Sequence, residues 1–223
     1  MSNENQTQVA VINSVRALLG SYESGKALHT ITSDIEKIIR SEQEGFLNRI
    51  ALLDGIIEKN PDYQPLEELL FDLLMVHFLA AEQHKEDYFD SPEWNEIENK
   101  TLDRGSEMLN LFLYISEANE TEVQISMDDF LNEFLLVNED EFQDEHRIYE
   151  SLIENEDLLD LKLSELRQVQ KSVKEDTGIQ DYFISIVLFF QYVEGVLPQS
   201  KMPEGLNSVE EAIFDALNAF NYA

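Results

Sequence analysis

Tyr182-Phe-Ile-Ser-Ile-Val-Leu-Phe-Phe-Gln-Tyr-Val-Glu-Gly-Val-Leu197 is the most apolar run of the chain. Between Asp181 and Glu194 its only polar interruptions are Ser185 and Gln191. Wound as an α-helix, the run presents apolar side chains on every side, the pattern of a helix enclosed by protein. A membrane span needs about 20 predominantly apolar residues, and acids close this one off too early. The expected architecture is therefore all-α, with about nine helices packed around a buried central helix near residues 180–197.

Outward from that run, helical spacing recurs in both directions. Val9, Ile12, Val15 and Leu19 mark a first helix, broken from Gly20 to Gly25. Leu28 to Ile39 and Phe46 to Ile57 mark two more, and Leu66–His84 is the second strongly apolar helix, with Pro65 well placed near its first turn. Ser91-Pro92-Glu93 is a helix start, Ser as N-cap and Pro at the first helical position. The helix it opens is expected to run to about Ser116, bent at Gly105.

Asn119–Ile125 is a polar connector. The chain is expected to form a single domain, 1–223, and that connector is where a seam between two helical halves would fall. Beyond it, Ser126 caps a short helix built on Met127, Phe130, Leu131 and Phe134. Phe142, Tyr149, Leu152 and Ile153 mark the next seam, and Leu159, Leu163, Leu166, Val169 and Val173 another. Ser208-Val-Glu-Glu211 has the form of a capping box ahead of Ile213, Phe214, Leu217 and Phe220. No alternating β-branched run and no fixed-period repeat is present.

Composition narrows the chemistry. The chain has 223 residues, enough for a substantial core, and 43% hydrophobic content separates it from disordered acidic tails. It has no cysteine, which removes disulfides, thiolate metal sites and cysteine nucleophiles and fits a reducing compartment. Met1–Gln8 has neither a basic nor an apolar leader region, so a cytoplasmic location is expected. With 46 acids against 15 bases, the net charge is −31. Direct binding to nucleic acid or to an anionic membrane is disfavoured, because phosphate binding needs clustered Lys and Arg. A basic protein or peptide partner is the sharper expectation, and a soluble Glu-rich surface the plainer one.

Catalytic and metal signatures are sparse. The residues three before each histidine are Lys26, Leu74, Ala81 and Gln143, so the Glu-x-x-His pattern of helical di-metal sites is missing. His77 and His84 share a face with Leu70 and Leu73, where a hydrogen-bonded core role competes with a two-histidine site. His146 beside Asp144 and Glu145 has the setting of a pH-sensitive contact.

Glu117-x-x-Glu120 with Glu141-x-x-Asp144 mimics the carboxylates of Mg²⁺-dependent all-α nucleotide pyrophosphohydrolases, but Glu120 is expected in a loop. Asp128-Asp129 follows Ser126, where acids complement the helix dipole. The eight glycines form no phosphate loop, and no serine has a nucleophile-elbow setting. Neither cofactor, metal nor catalytic residue is implied.

The best functional hint is acidic. From Glu139 to Asp160 there are ten acids and one base, Arg147. With Phe142, Tyr149, Leu152 and Ile153 inward, most of those acids share the outer face. Lys162, Arg167, Lys171 and Lys174 on the following helix can relieve part of the repulsion.

Glu139, Asp140, Glu141, Asp144, Glu145, Glu150, Glu154 and Asp157 are the candidate partner-binding residues. They fit a solvated face, a DNA-mimic inhibitor of a DNA-binding protein, or an adaptor or chaperone receiving a peptide in an apolar groove beside the acids. Asp144-Glu145-His146 with Ile148-Tyr149 resembles a stretch of the twin-arginine-enzyme chaperones, which are also acidic and all-α. The Glu-Pro expected before Asp-His in that family is missing, and the likeness stops at those residues. The expected function is a non-enzymatic interaction protein; Trp94 and Tyr222 could serve a dimer seam or pack internally.

Overall fold

The computed structural model describes residues 3–22, 28–41, 44–82, 87–135, 143–155, 157–174, 177–197 and 203–223, with side chains omitted for 3–5 and 133–147. Among these residues there are eleven α-helices and no strand. They are α1 (Asn3–Tyr22), α2 (Leu28–Ile39), α3 (Phe46–Lys59), α4 (Glu67–Glu82), α5 (Pro92–Thr101) and α6 (Met108–Thr121). Then follow α7 (Met127–Leu135), α8 (Gln143–Ile153), α9 (Leu163–Gln170), α10 (Phe183–Val193) and α11 (Ser208–Asn221). No helix among the described residues is long and apolar enough to cross a membrane.

The chain divides into two compact units. Unit 1 is Met1–Ser116 with Asp215–Ala223, and unit 2 is Glu117–Phe214. The divisions fall inside α6, just upstream of the connector, and inside α11. That connector is also shorter than expected, because α6 continues through Asn119 and Thr121 and stops only where Glu122 turns left-handed.

Helix α10 is the core of unit 2. Every residue from Phe183 to Gln191 is buried, so the apolar girth seen in the sequence is matched by protein on all sides. Its two polar interruptions are both satisfied. Ser185 Oγ donates to the Glu210 carbonyl (3.1 Å), and Gln191 Nε2 donates to the carbonyls of Leu158, Leu159 and Leu161 (3.2, 3.0 and 2.8 Å). Gly195, at φ +78°, lets the end close as a Schellman turn, with Val196 N–H reaching the Gln191 carbonyl and Gly195 N–H that of Tyr192.

Helix α4 is the counterpart in unit 1. Ten consecutive residues, Leu69–Phe78, are buried, and α1 and α3 pack against it. Pro65 lies in a 3-10 turn, Pro61–Leu66, immediately ahead of α4.

Tertiary hydrogen bonds break two expected helices. The expected span from Ser91 to Ser116 is two helices, because the chain between α5 and α6 is tied to α4. Gly105 N–H donates to Glu68 (2.5 Å), while Ser106 N–H and Oγ–H both donate to the buried Asp72 carboxylate (3.0 and 2.5 Å). Arg104 bonds Glu68 and Asp54 and lies over the Phe71 ring at 4.9 Å. Likewise, the expected Leu159–Val173 helix becomes a 3-10 turn, Leu158–Asp160, followed by α9, since the Gln191 amide holds the turn's carbonyls.

Gly105 sits at φ +92°, and a Cβ there would stand 2.9 Å from Asp72 Oδ1 and 3.3 Å from the Phe71 ring. Gly105→Ala is expected to destabilise unit 1 by about 2–4 kcal/mol, combining left-handed strain with overpacking. Urea denaturation followed by Trp94 fluorescence checks it; a loss below about 0.5 kcal/mol would show the turn to be tolerant.

Caps follow local chemistry closely. Ser91 Oγ accepts from Trp94 N–H and Ser126 Oγ from Asp129 N–H, both at 3.1 Å. The capping box of α11 is shifted one residue from the expected Ser208. Asn207 Oδ1 accepts from Val209 and Glu210 N–H, and Asn207 N–H donates back to Glu210. Asn caps as well as Ser, and this register places Glu210 where Arg167 can pair with it.

Candidate functional site: an apolar cleft among carboxylates

Unit 2 holds the segment singled out by its charge. Ser126 starts α7, and Met127 N–H also donates to Glu194 (2.9 Å). One turn on, Phe130 is fully buried, edge-on to Tyr149 of α8 (5.4 Å between centroids) and 5.7 Å from Phe190 of α10. This aromatic contact joins α7 to α8. Beside it opens a cleft of about 400 Å³.

Met127, Leu131, Leu152 and Leu158 form its buried apolar wall, while Ile153 and Leu159 are half-exposed. Asp128, Asn132 and Asn155 also line it. Exposed Glu154 and Asp157 flank Asn155 in the chain, and exposed Asp160 follows Leu159. The result is a largely apolar recess with one carboxylate, Asp128, in its lining and exposed acids next to its lining residues in the chain.

The eight candidate acids fare differently. Glu139, Asp140 and Glu141 lie outside the described residues, so the Glu141-x-x-Asp144 half of the Mg²⁺ pattern does too. Asp144 and Glu145 are on α8, a helix whose side chains are described only from Ile148 onward. Glu150 is half-buried and ion-paired with Lys174, so its charge is partly spent within the protein. Glu154 and Asp157 are exposed, Asp157 at the start of the 3-10 turn that closes the cleft.

Of the bases expected to relieve this face, Arg167 does not. It pairs with Glu210 and donates to the Gly205 carbonyl (3.2 Å), bracing the entry to α11. The cleft itself went unread in the sequence, because Leu131, Leu152 and Ile153 carry the same spacing whether a seam closes fully or leaves a recess.

The other chemistry in the sequence resolves without a second site. Glu120, expected in a loop, is on α6 together with Glu117, and both are exposed. No group of three potential metal-ligating side chains occurs among the described residues. His77 is a core residue of α4, 3.4 Å through Nδ1 from Arg49 Nη1 and 3.3 Å through Nε2 from Gln8 Nε2. Burial, with the Arg49 charge beside it, pushes its pKa down to about 4, so it is neutral at pH 7. His84 lies outside the described residues, and the side chain of His146 is among those omitted. Trp94 packs parallel to Phe78, and Tyr222 is exposed.

Comparison with known proteins adds no relative: no family model matches the chain, and neither a curated protein nor a solved structure matches it.

Proposed function

We propose that the chain is a non-enzymatic protein-interaction module of adaptor, chaperone or inhibitor type, whose α7–α8 cleft takes the apolar anchor of a basic peptide. The observation that carries this is the apolar recess of about 400 Å³ with Asp128 in its lining, whose lining residues Asn155, Leu158 and Leu159 alternate along the chain with exposed Glu154, Asp157 and Asp160. The cysteine-free sequence fits a cytoplasmic setting.

Magnitudes assign the two parts different jobs. Burying one large aliphatic or aromatic side chain supplies about 1.5–3 kcal/mol, whereas an exposed ion pair supplies about 0–1. The cleft therefore provides affinity. The carboxylates select cationic partners, repel nucleic acid and speed encounter.

The test compares an amphipathic Lys/Leu peptide with oligolysine, by calorimetry, at low salt and at about 0.5 M salt. The Lys/Leu peptide is expected to retain binding at high salt, and Ile153→Glu to weaken it about tenfold. Equal binding of both peptides, lost together in salt, would leave only the acids, as in DNA mimicry. Mg²⁺-dependent nucleotide turnover by the purified chain would overturn the non-enzymatic reading.

A further inference from the structure

Unit 1 carries an exposed phenylalanine packed on a half-buried tryptophan, with acids next to both in the chain. Phe89, in the 3-10 turn Tyr88–Asp90, is 46% exposed and stands edge-on to Trp94 of α5, with centroids 5.1 Å apart at 89°. Both rings are held from behind: Trp94 lies parallel to Phe78 at 6.4 Å, and Tyr88 contacts Phe89, Trp94 and Phe78. The Ser91 cap and Pro92 at the first helical position fix the backbone beneath Trp94. Asp90 and Glu93, both exposed, bracket this start in the chain. The local field is negative enough that, besides burial, Glu93 and Glu82 help push the Tyr88 phenol up to about 12.

An apolar partner seated on these rings would strip water from Asp90 and Glu93 without replacing it, which is costly. A cation avoids that cost, because an aromatic face and a carboxylate both attract it. Arg49 does not fill this role for the chain itself. It is 7% exposed and engaged with Phe46, Phe78 and His77.

We propose that the Phe89–Trp94 pair, with Asp90 and Glu93, is a docking point for an arginine or lysine side chain on an extended basic segment of a partner protein. The site is pre-formed, so little ordering is needed on binding. It is independent of the α7–α8 cleft, and either can fail without the other.

Trp94 is the only tryptophan in the chain, so its emission reports this site directly. The full chain is titrated with a blocked oligo-arginine peptide, with far-UV circular dichroism to verify that each variant stays helical. A saturable change in Trp94 emission is expected, with its midpoint shifted about fivefold in Phe89→Ala and in the Asp90→Asn/Glu93→Gln double variant. In Ile153→Glu the midpoint is expected to stay unchanged. The proposal is overturned if emission does not respond, if both unit 1 variants keep the wild-type midpoint, or if Ile153→Glu abolishes the response.

Discussion

Phe190→Ala is expected to lower the free energy of unfolding by about 3–5 kcal/mol, measured by urea denaturation with circular dichroism. Phe190 is fully enclosed on α10, 5.4 Å from Phe189 and 5.7 Å from Phe130. Truncation removes the ring's transfer energy and leaves a void that its packed neighbours on α7 and α10 cannot fully close. Because Phe130 also rests on Tyr149, the damage extends to the aromatic joint beside the cleft. Phe190→Leu, which keeps most of the volume, should lose far less. A loss under about 1 kcal/mol in the alanine variant would contradict the enclosure of α10.

A second large effect belongs to Asp72 and has a definite sign. Burial raises its pKa from 3.8 to about 7, against the two Ser106 bonds that pull it down, with Glu68 and Glu107 adding smaller upward contributions. Between about pH 4 and 7 the folded chain therefore keeps a proton that the unfolded chain releases. Stability falls as pH rises through that window, and the contribution is fully lost above it. A displacement of about three pKa units corresponds to roughly 4 kcal/mol.

Asp72→Asn keeps an oxygen to accept from Ser106 N–H and has nothing to ionise. It is expected to be more stable than the wild type above pH 7, with the difference shrinking to near zero or reversing by pH 4. The 46 acids make both proteins less stable as pH rises through self-repulsion, so the difference between them isolates residue 72. Parallel pH profiles would show that Asp72 is not held neutral by its surroundings.

What could be read from the sequence was whatever is decided within a few residues or by girth. Ser91 and Ser126 cap because each precedes a helix whose first turn lacks acceptors, and that need is local. The enclosure of α10 follows from having no polar face to give to water. What escaped was set by partners far along the chain. The α5–α6 break depends on Glu68 and Asp72, more than thirty residues upstream of the bonds they accept. The split ahead of α9 depends on one amide, Gln191, about thirty residues downstream. The acidic segment was visible as charge, but Lys174 engaging Glu150 and Arg167 being drawn to Glu210 were not. Such choices rest on geometry that only the folded chain supplies.

Unit 1 is discontinuous, and this shapes how the chain can be made. Ser14 Oγ donates to the Ala216 carbonyl (2.8 Å), Ser21 to Asp215, and the Phe220 ring packs tilted against Phe112 with centroids 5.0 Å apart. As the ribosome releases the polypeptide in order, the portion made first stays unfinished until Asp215–Ala223 emerges, while unit 2 already has all its own sequence. Of the two units, the one begun first is thus the one completed second.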